Sequence, residues 1–309
     1  MNGSGGVSAS QGGVRDSMRS THVWRIGGRD LPLEPWMLMG VVNATPDSFS
    51  DGGLHLDPTR AADAALAMID AGASIIDVGG ESTRPGASRI DATEQIRRVV
   101  PAIEAIRRQS DVTISIDTTL AAVAAAAIDA GAEIVNDVSA GEEDPSILQL
   151  AAARSCGVIL MHRRAPPPAD SFSDRYAEPP EYRDVVGEVQ AALLARISIA
   201  EGAGVDPRSI AIDPGLGFGK TVEQNFALIA RLGELASLGR PVLVGASRKS
   251  FVGAVSGQPD PMRRVAGSVV AAVAAWSAGA RIIRTHDIAE TRQGLEVAQA
   301  IVRETRVAP

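Results

Sequence analysis

The sequence holds one cysteine, Cys156, in 309 residues. That count excludes a disulfide framework and a cysteine-based zinc cluster, and it suits a reducing cytoplasm. Cys156 lies beside an apolar run and reads as a small buried hydrophobe, not as a nucleophile. Aromatic residues are also scarce, at 3%. A core built here must come from Ala, Val, Leu and Ile, which suits helices packed on a parallel sheet. There is no excess of basic charge: 30 Lys and Arg face 37 Asp and Glu, for a net charge of −7. A nucleic-acid binder normally carries a basic face, so that class is set aside. A few placed Arg and Lys can still hold an anionic small molecule. No apolar run approaches the ~18 residues needed to span a bilayer, and the first residues lack the apolar core of a signal peptide. The expectation is a cytoplasmic protein with no membrane partner.

Eight short apolar runs are present, at residues 37–42, 74–76, 113–116, 133–135, 158–161, 210–212, 242–244 and 281–283. They lead to Asn43, Asp77, Asp117, Asn136, His162, Asp213, Lys249 and Arg284. Ala-rich segments of helical periodicity separate most of them. Strands that are apolar throughout are buried on both faces, as in a parallel sheet. Eight βα units predict an α/β fold, a single (β/α)8 TIM barrel, which needs ~250 residues. Its active site is then at the C-terminal ends of the strands, where the polar residues gather.

Residues 1–20 are rich in Gly, Ser and Gln without periodicity and are expected to form a disordered N-terminal extension. Residues 21–309 form the barrel domain. Within it, residues 22–33 place Gly27-Gly28 between two strand-like runs, predicting a hairpin that plugs the barrel's bottom. Helices are expected over about 58–71, 91–108, 120–130, 183–203, 222–235, 262–278 and 289–304. Asp91 precedes Glu94 by three residues, a capping-box-like start. Pro101 inside that helix predicts a kink or break. The proline-rich stretch 164–182 predicts a mobile surface loop.

Four strings carry chemistry. Asp213 leads DPGLGFGKT, which fails as a phosphate loop because Pro214 stands where a Walker A motif needs Gly. The dinucleotide-binding spacing fails too, since Gly219 comes one residue early. What remains is a Gly-rich turn after a strand, a floor for a flat ligand with Asp213 accepting two N–H donors and Phe218 stacking. Gly245-Ala246-Ser247-Arg248-Lys249-Ser250 resembles a nucleophile elbow without its final Gly, and no Ser–His–Asp set accompanies it. Lys249 at a strand end is better suited to a fixed cation or donor, and Ser250 can present its hydroxyl to a carboxylate. Arg284 and His286 follow the eighth strand, where barrels of this kind frequently bind phosphate. The loop from Asp77 to Gly86 offers glycines, hydroxyls and Arg84 as a second anion clamp. Asp117, Asn136 and Asp137 end buried strands, where a carboxylate's charge is costly without a partner.

Taken in order, these strings resemble the dihydropteroate synthase family. NATPDSFSDGG from Asn43 to Gly53 is similar to its first signature, and DVGGESTRPG from Asp77 to Gly86 to its second. SIDT at 115–118, Asn136-Asp137, Met161-His162, DPGLGFGK at 213–220, SRKS at 247–250 and RTHD at 284–287 follow in the family's sequence, so the resemblance runs from about residue 36 to 300. It implies condensation of p-aminobenzoate with 6-hydroxymethyl-7,8-dihydropterin pyrophosphate, giving 7,8-dihydropteroate for folate biosynthesis and releasing pyrophosphate. Asp117, Asn136, Asp213 and Lys249 would then hold the pterin edge, with Met161 and Phe218 lining it. Asn43, Arg84, Arg284 and His286 would hold the pyrophosphate, with Asn43 also reaching a Mg2+ cofactor. Thr83, Pro85 and Phe49 would shape the aminobenzoate pocket and Ser250 would meet its carboxylate. Asp117, Lys249, Arg284 and His286 are expected to carry the chemistry, and a homodimer is expected from the family. Four positions depart from its usual pattern: Arg163 and Arg164 after His162, Thr285 in place of Val, and Ala44 in place of Val or Leu. Arg163 and Arg164 bring bulk and charge close to Met161. The same barrel also serves catalytically silent paralogues and pterin-dependent methyltransferases. A methyltransferase, however, has no pyrophosphate to hold, and the Asn43 loop and SRKS speak against it.

Overall fold

A computed structural model of the chain describes residues 23–44 and 58–305. The expected N-terminal extension, most of the first signature and Phe49 lie outside the described residues. The chain opens with a hairpin of β1 (Val23–Ile26) and β2 (Arg29–Pro32). The eight predicted strands then follow: β3 (Met37–Asn43), β4 (Ile75–Gly79), β5 (Thr113–Asp117), β6 (Ile134–Asp137), β7 (Gly157–Met161), β8 (Ile210–Asp213), β9 (Leu243–Val244) and β10 (Ile282–Thr285). They pair in parallel in the order β8-β7-β6-β5-β4-β3-β10-β9. Between the outer two, Ile212 bridges Val242 and its N–H donates to the Pro241 carbonyl at 2.9 Å, bringing the sheet round into a barrel.

The helices between them are α1 (Pro58–Asp70), α2 (Ala92–Arg107), α3 (Ala121–Asp129), α4 (Ser146–Ala153), α5 (Val185–Gly202), α6 (Val222–Ala230), α7 (Leu232–Ala236), α8 (Ser250–Ser256), α9 (Val265–Ser277) and α10 (Ile288–Thr305). Asp91 caps α2 as its spacing predicts, accepting the Glu94 N–H at 2.8 Å. The predicted break at Pro101 is absent, and α2 runs on as one element. Val99, Ala102, Ile103 and Ile106 bury the same face on both sides of the proline, and that burial outweighs one missing hydrogen bond. Conversely, the single helix expected over 222–235 is two, parted at Arg231.

Small side chains fill the shell between helices and sheet, while a separate cluster closes the barrel's lower end. Trp24, Ile26 and Leu33 pack there against Met37, Ile75, Ile134, Leu243 and Ile282, residues at the starts of the strands. Trp24 is fully buried and its indole N–H donates to the Ser209 carbonyl at 2.7 Å. The hairpin is therefore the plug its sequence predicts. Truncating such a Trp typically costs about 3–5 kcal/mol. With the bottom sealed, the polar strand ends face the opposite mouth.

Candidate active site

Strand register sets the rim. Asn43, Gly79, Asp117 and Asn136 are successive partners across β3 to β6, and Met161 pairs with Asp213 across β7 and β8. Asp77 lies two residues below Gly79 and so faces the same side of β4. Across the barrel, Arg284 Nε donates to Asp77 Oδ2 at 2.7 Å and its Nη2 to Asp117 Oδ2 at 3.0 Å. Asn136 Nδ2 adds a bond to Asp77 Oδ2 at 3.0 Å. The second oxygens of Asp77 and Asp117 are buried without partners among the described residues. Burial, then the charge of Asp77, pushes the Asp117 carboxyl well above the usual range, against the pull of Arg284. Arg284 remains a cation because the two carboxylates outweigh the cost of its burial.

The second polar group centres on the Gly-rich turn after β8. Asp213 Oδ1 accepts the Gly215 N–H at 2.7 Å, while its other oxygen takes no bond from a described residue. Gly215 sits at φ +67°, and an added Cβ would fall 1.9 Å from the His162 carbonyl oxygen, so only glycine fits. Lys220 ends the turn fully buried. Its ammonium donates to the carbonyls of Gly215 at 2.9 Å and Phe218 at 2.8 Å and meets His162 Nδ1 at 3.0 Å. Burial pushes its pKa down to about 7. Burial and the Lys220 charge push His162 down to about 3. These two residues hold the turn from below. The Lys249 amine lies 4.6 Å above the Phe218 ring centroid and donates to the Leu216 carbonyl. Its pKa falls to about 8, from burial first, with Asp213 opposing.

A third group forms at the loops after β9 and β10. His286 meets Ser247, with Nδ1 3.0 Å from Oγ, a contact the sequence did not reveal. Burial, then the charges of Arg284 and Arg248, lowers the His286 pKa to about 4. Arg248, at φ +59°, is held by Asp287 through Nε at 3.0 Å and Nη2 at 2.5 Å. Arg84 lies on an exposed loop with its guanidinium unpaired among the described residues, yet its charge reaches His286. Thr83 and Pro85 flank it, half-buried.

Other positions resolve differently from their sequence reading. Asp137 is no ligand holder, since it accepts from the Ser139 amide and hydroxyl, both at 2.7 Å, and from the Gly141 amide at 2.6 Å. Thr285 uses its hydroxyl to accept the Asp287 N–H at 3.1 Å, and it meets Thr291 at the start of α10. The stretch 164–182 is not a loose surface loop. Its Asp170 accepts the Gly219 N–H at 2.9 Å, Tyr182 donates to the Gly219 carbonyl at 3.0 Å, and the Ser173 N–H donates to Ser250 Oγ at 3.1 Å. It straps the Gly-rich turn to the SRKS loop.

The profile of the pterin binding enzyme family matches residues 39–286. A dihydropteroate synthase of Mycobacterium leprae is 46% identical over 276 residues, covering 87% of this chain and 95% of the relative. The chain belongs to the dihydropteroate synthase family. A Synechocystis dihydropteroate synthase is 45% identical over 267 residues, covering 86% of this chain and 90% of its own length. Among solved structures, the Xanthomonas albilineans dihydropteroate synthase with 4-aminobenzoic acid superposes with a TM-score of 0.83 at 42% identity, covering 94% of this chain and all of that one. The same enzyme in complex with 7,8-dihydropteroate gives 0.80 at 40% identity, covering 93% of this chain and 100% of that one. Against that dihydropteroate synthase frame, the unusual Arg163 is only 6% exposed and pairs with Glu143. Arg164 stacks over Tyr182 at 4.9 Å and donates to the Glu181 carbonyl at 2.5 Å.

Proposed function

We propose that this chain is a dihydropteroate synthase. It joins p-aminobenzoate to 6-hydroxymethyl-7,8-dihydropterin pyrophosphate, forming 7,8-dihydropteroate and releasing pyrophosphate. The observation that carries the assignment is the buried, half-satisfied acceptor set at the mouth. Asp213 has an open oxygen, Asp117 has an unpartnered one, and Asn136 and Lys249 stand beside them. A pterin edge supplies the missing N–H donors and a carbonyl for Lys249. Met161 and Phe218 give the ring its apolar contacts.

The pyrophosphate belongs on the side of Arg84, Arg284 and His286. Arg284 has two nitrogens committed to Asp77 and Asp117, so it meets the anion through the third and through its charge. As the C–O bond breaks, negative charge grows on the leaving group and these donors stabilise it. The electron-poor methylene carbon is attacked by the aniline nitrogen, whose proton passes to solvent or to the departing pyrophosphate as the C–N bond forms. That nitrogen is already nucleophilic, so no base is required. Asp117 lies where it can stabilise positive charge on the pterin. Ser250 Oγ accepts the Ser173 amide, leaving its own proton to donate to the aminobenzoate carboxylate. Thr83 and Pro85 wall that pocket, and Phe49 is assigned there by the family pattern.

Among the described residues no three acidic, His or Cys side chains could cage a cation. That suits Mg2+ carried by the substrate, which keeps several waters and takes phosphate oxygens with one or two protein oxygens. Asn43, at the end of β3, would supply such an oxygen, and the ion would neutralise pyrophosphate charge. A homodimer completes the proposal. Val255, Met262, Val270, Val297 and Ile301, on and beside α8, α9 and α10, are all exposed. Apolar groups on neighbouring helices suit a second copy of the chain. Among the described residues no helix is long and apolar enough to cross a membrane. The proposal includes a cytoplasmic location, which the single cysteine supports. The test is direct: pterin pyrophosphate, p-aminobenzoate and Mg2+ are supplied, and dihydropteroate and free pyrophosphate are measured. No product from folded protein refutes the assignment.

A further inference from the structure

Ser247 has two contacts. It accepts the main-chain N–H of His286 at 3.2 Å, and its Oγ lies 3.0 Å from Nδ1 of the same residue. A hydroxyl has one proton and two lone pairs. The amide takes one lone pair. Among the described residues, the one acceptor near the hydroxyl proton is then Nδ1. Were Nδ1 protonated, it would donate to the remaining lone pair, and the hydroxyl proton would have no acceptor. Every polar atom is satisfied when Nδ1 accepts, which leaves the ring proton on Nε2. Nε2 takes no bond from a described residue and is not among the buried unpaired atoms, so it opens onto the mouth. Asp287, next in the chain, is held by Arg248, so it does not orient the ring from the other side. The charges of Arg284, Arg248 and Arg84 all bear on this imidazole and disfavour a fourth cation.

We propose that Ser247 is a positioning residue for the synthase reaction. Its hydroxyl holds neutral His286 in the tautomer that aims Nε2–H at the departing pyrophosphate. The opposite tautomer would present a lone pair to a phosphate oxygen, and the contact would turn repulsive. The proposal rests on the function given above and assigns Ser247 no covalent step.

Nitrogen NMR of the full-length protein, histidine-labelled and assigned with His286→Gln, tests it at pH 7. The expected wild-type pattern is protonated Nε2 with Nδ1 as acceptor, both alone and with inorganic pyrophosphate. Ser247→Ala should average the two tautomers and weaken pyrophosphate binding by roughly three- to tenfold, the range for one lost hydrogen bond. Ser247→Thr, which keeps the hydroxyl, should restore both. An Nδ1–H or imidazolium pattern in the wild type overturns the proposal. So does an equal loss of pyrophosphate affinity when Ser247→Ala is made in the His286→Gln background, because the serine would then act on the loop and not through the histidine. Wild-type pyrophosphate binding by His286→Gln alone overturns the anion role of His286. The spectrum of the unliganded protein tests the tautomer independently of that role.

Discussion

Asp213→Asn isolates the pterin contact from the fold. The wild-type carboxylate is 9% exposed and spends one oxygen on the Gly215 N–H at 2.7 Å. An amide oxygen can keep that bond, so the turn should hold and the melting temperature should move by no more than about 2 °C. The other oxygen becomes an NH2 group facing the N–H donors of the pterin edge. Two charge-assisted bonds at about 1.5 kcal/mol each are lost, about 3 kcal/mol in all. That corresponds to roughly 150-fold in Kd. Isothermal calorimetry with a pterin lacking the pyrophosphate reads this contact alone. The pH profile adds a sign. Burial raises the Asp213 carboxyl above its ordinary value, with Lys249 opposing. The ligand needs the ionised form, so wild-type affinity should fall as pH drops, beginning at a higher pH than for an ordinary carboxylate, and the variant should lack this dependence. Unchanged affinity in a folded Asp213→Asn protein would refute the assignment of the pterin edge.

Other consequences are equally measurable. Burial alone would raise the Glu143 carboxyl, but bonds from Arg89, Thr119 and Arg163 bring it down to about 2. Its contribution to stability is present above about pH 4.5 and lost as pH falls toward 2, so Glu143→Gln should flatten the acid side of the thermal-stability profile. At pH 7 the same change leaves Arg163 buried without a counter-charge and should cost about 3 kcal/mol in denaturant titrations. Arg284→Ala should weaken inorganic pyrophosphate binding far more than binding of a phosphate-free pterin, and equal losses would make Arg284 purely structural. p-Aminobenzoate should bind more tightly once Mg2+-pyrophosphate is present, because Arg84 shares its loop with Thr83 and Pro85; identical titrations with and without the anion would contradict such coupling.

The parts of this molecule visible in its sequence are those written in local periodicity. Apolar runs marked all eight barrel strands, and their polar ends marked the mouth, because strand direction alone fixes which end of a parallel barrel carries function. Gly27-Gly28 between two apolar runs was enough to place the plug. Pairings across the barrel left no such trace. Arg284 and Asp77 are 207 positions apart, and nothing local says that the arginine answers two carboxylates before it meets any ligand. Lys220 reads in sequence as the end of a Gly-rich string, although a lone Lys closing a turn after a buried strand is a signal for a cation capping carbonyls. Nothing beside Ser247 signals its histidine, which stands 39 positions away. In the stretch 164–182 irregular composition signals the lack of helix or strand, not the lack of tertiary bonds. The break at Arg231 was hidden by apolar spacing that continues through it. There Arg231 is held by Asp184 at 2.7 Å, from outside the helix.

Charge accounting at the mouth explains why an acidic protein can take an anionic substrate. Asp77, Asp117 and Asp213 stand against Arg284 and Lys249, and the links among them are short or through-space couplings of buried groups. That inner set carries no positive surplus to offer a pyrophosphate. The surplus lies at the edge, with Arg84, unpaired among the described residues, while His286 brings a donor without a full charge. An anion attracted to the inner arginine alone would meet two carboxylates competing for it. An anion that settles between Arg84, His286 and the Arg284 nitrogen that bonds no described residue would avoid Asp213 and leave that carboxylate to the proposed pterin. One arginine and part of another do not balance a pyrophosphate, and this shortfall is the physical reason to expect a divalent cation arriving with it at Asn43. In the proposed reaction this electrostatic asymmetry would orient the substrate, its neutral ring toward the buried acceptors and its charged tail toward the rim.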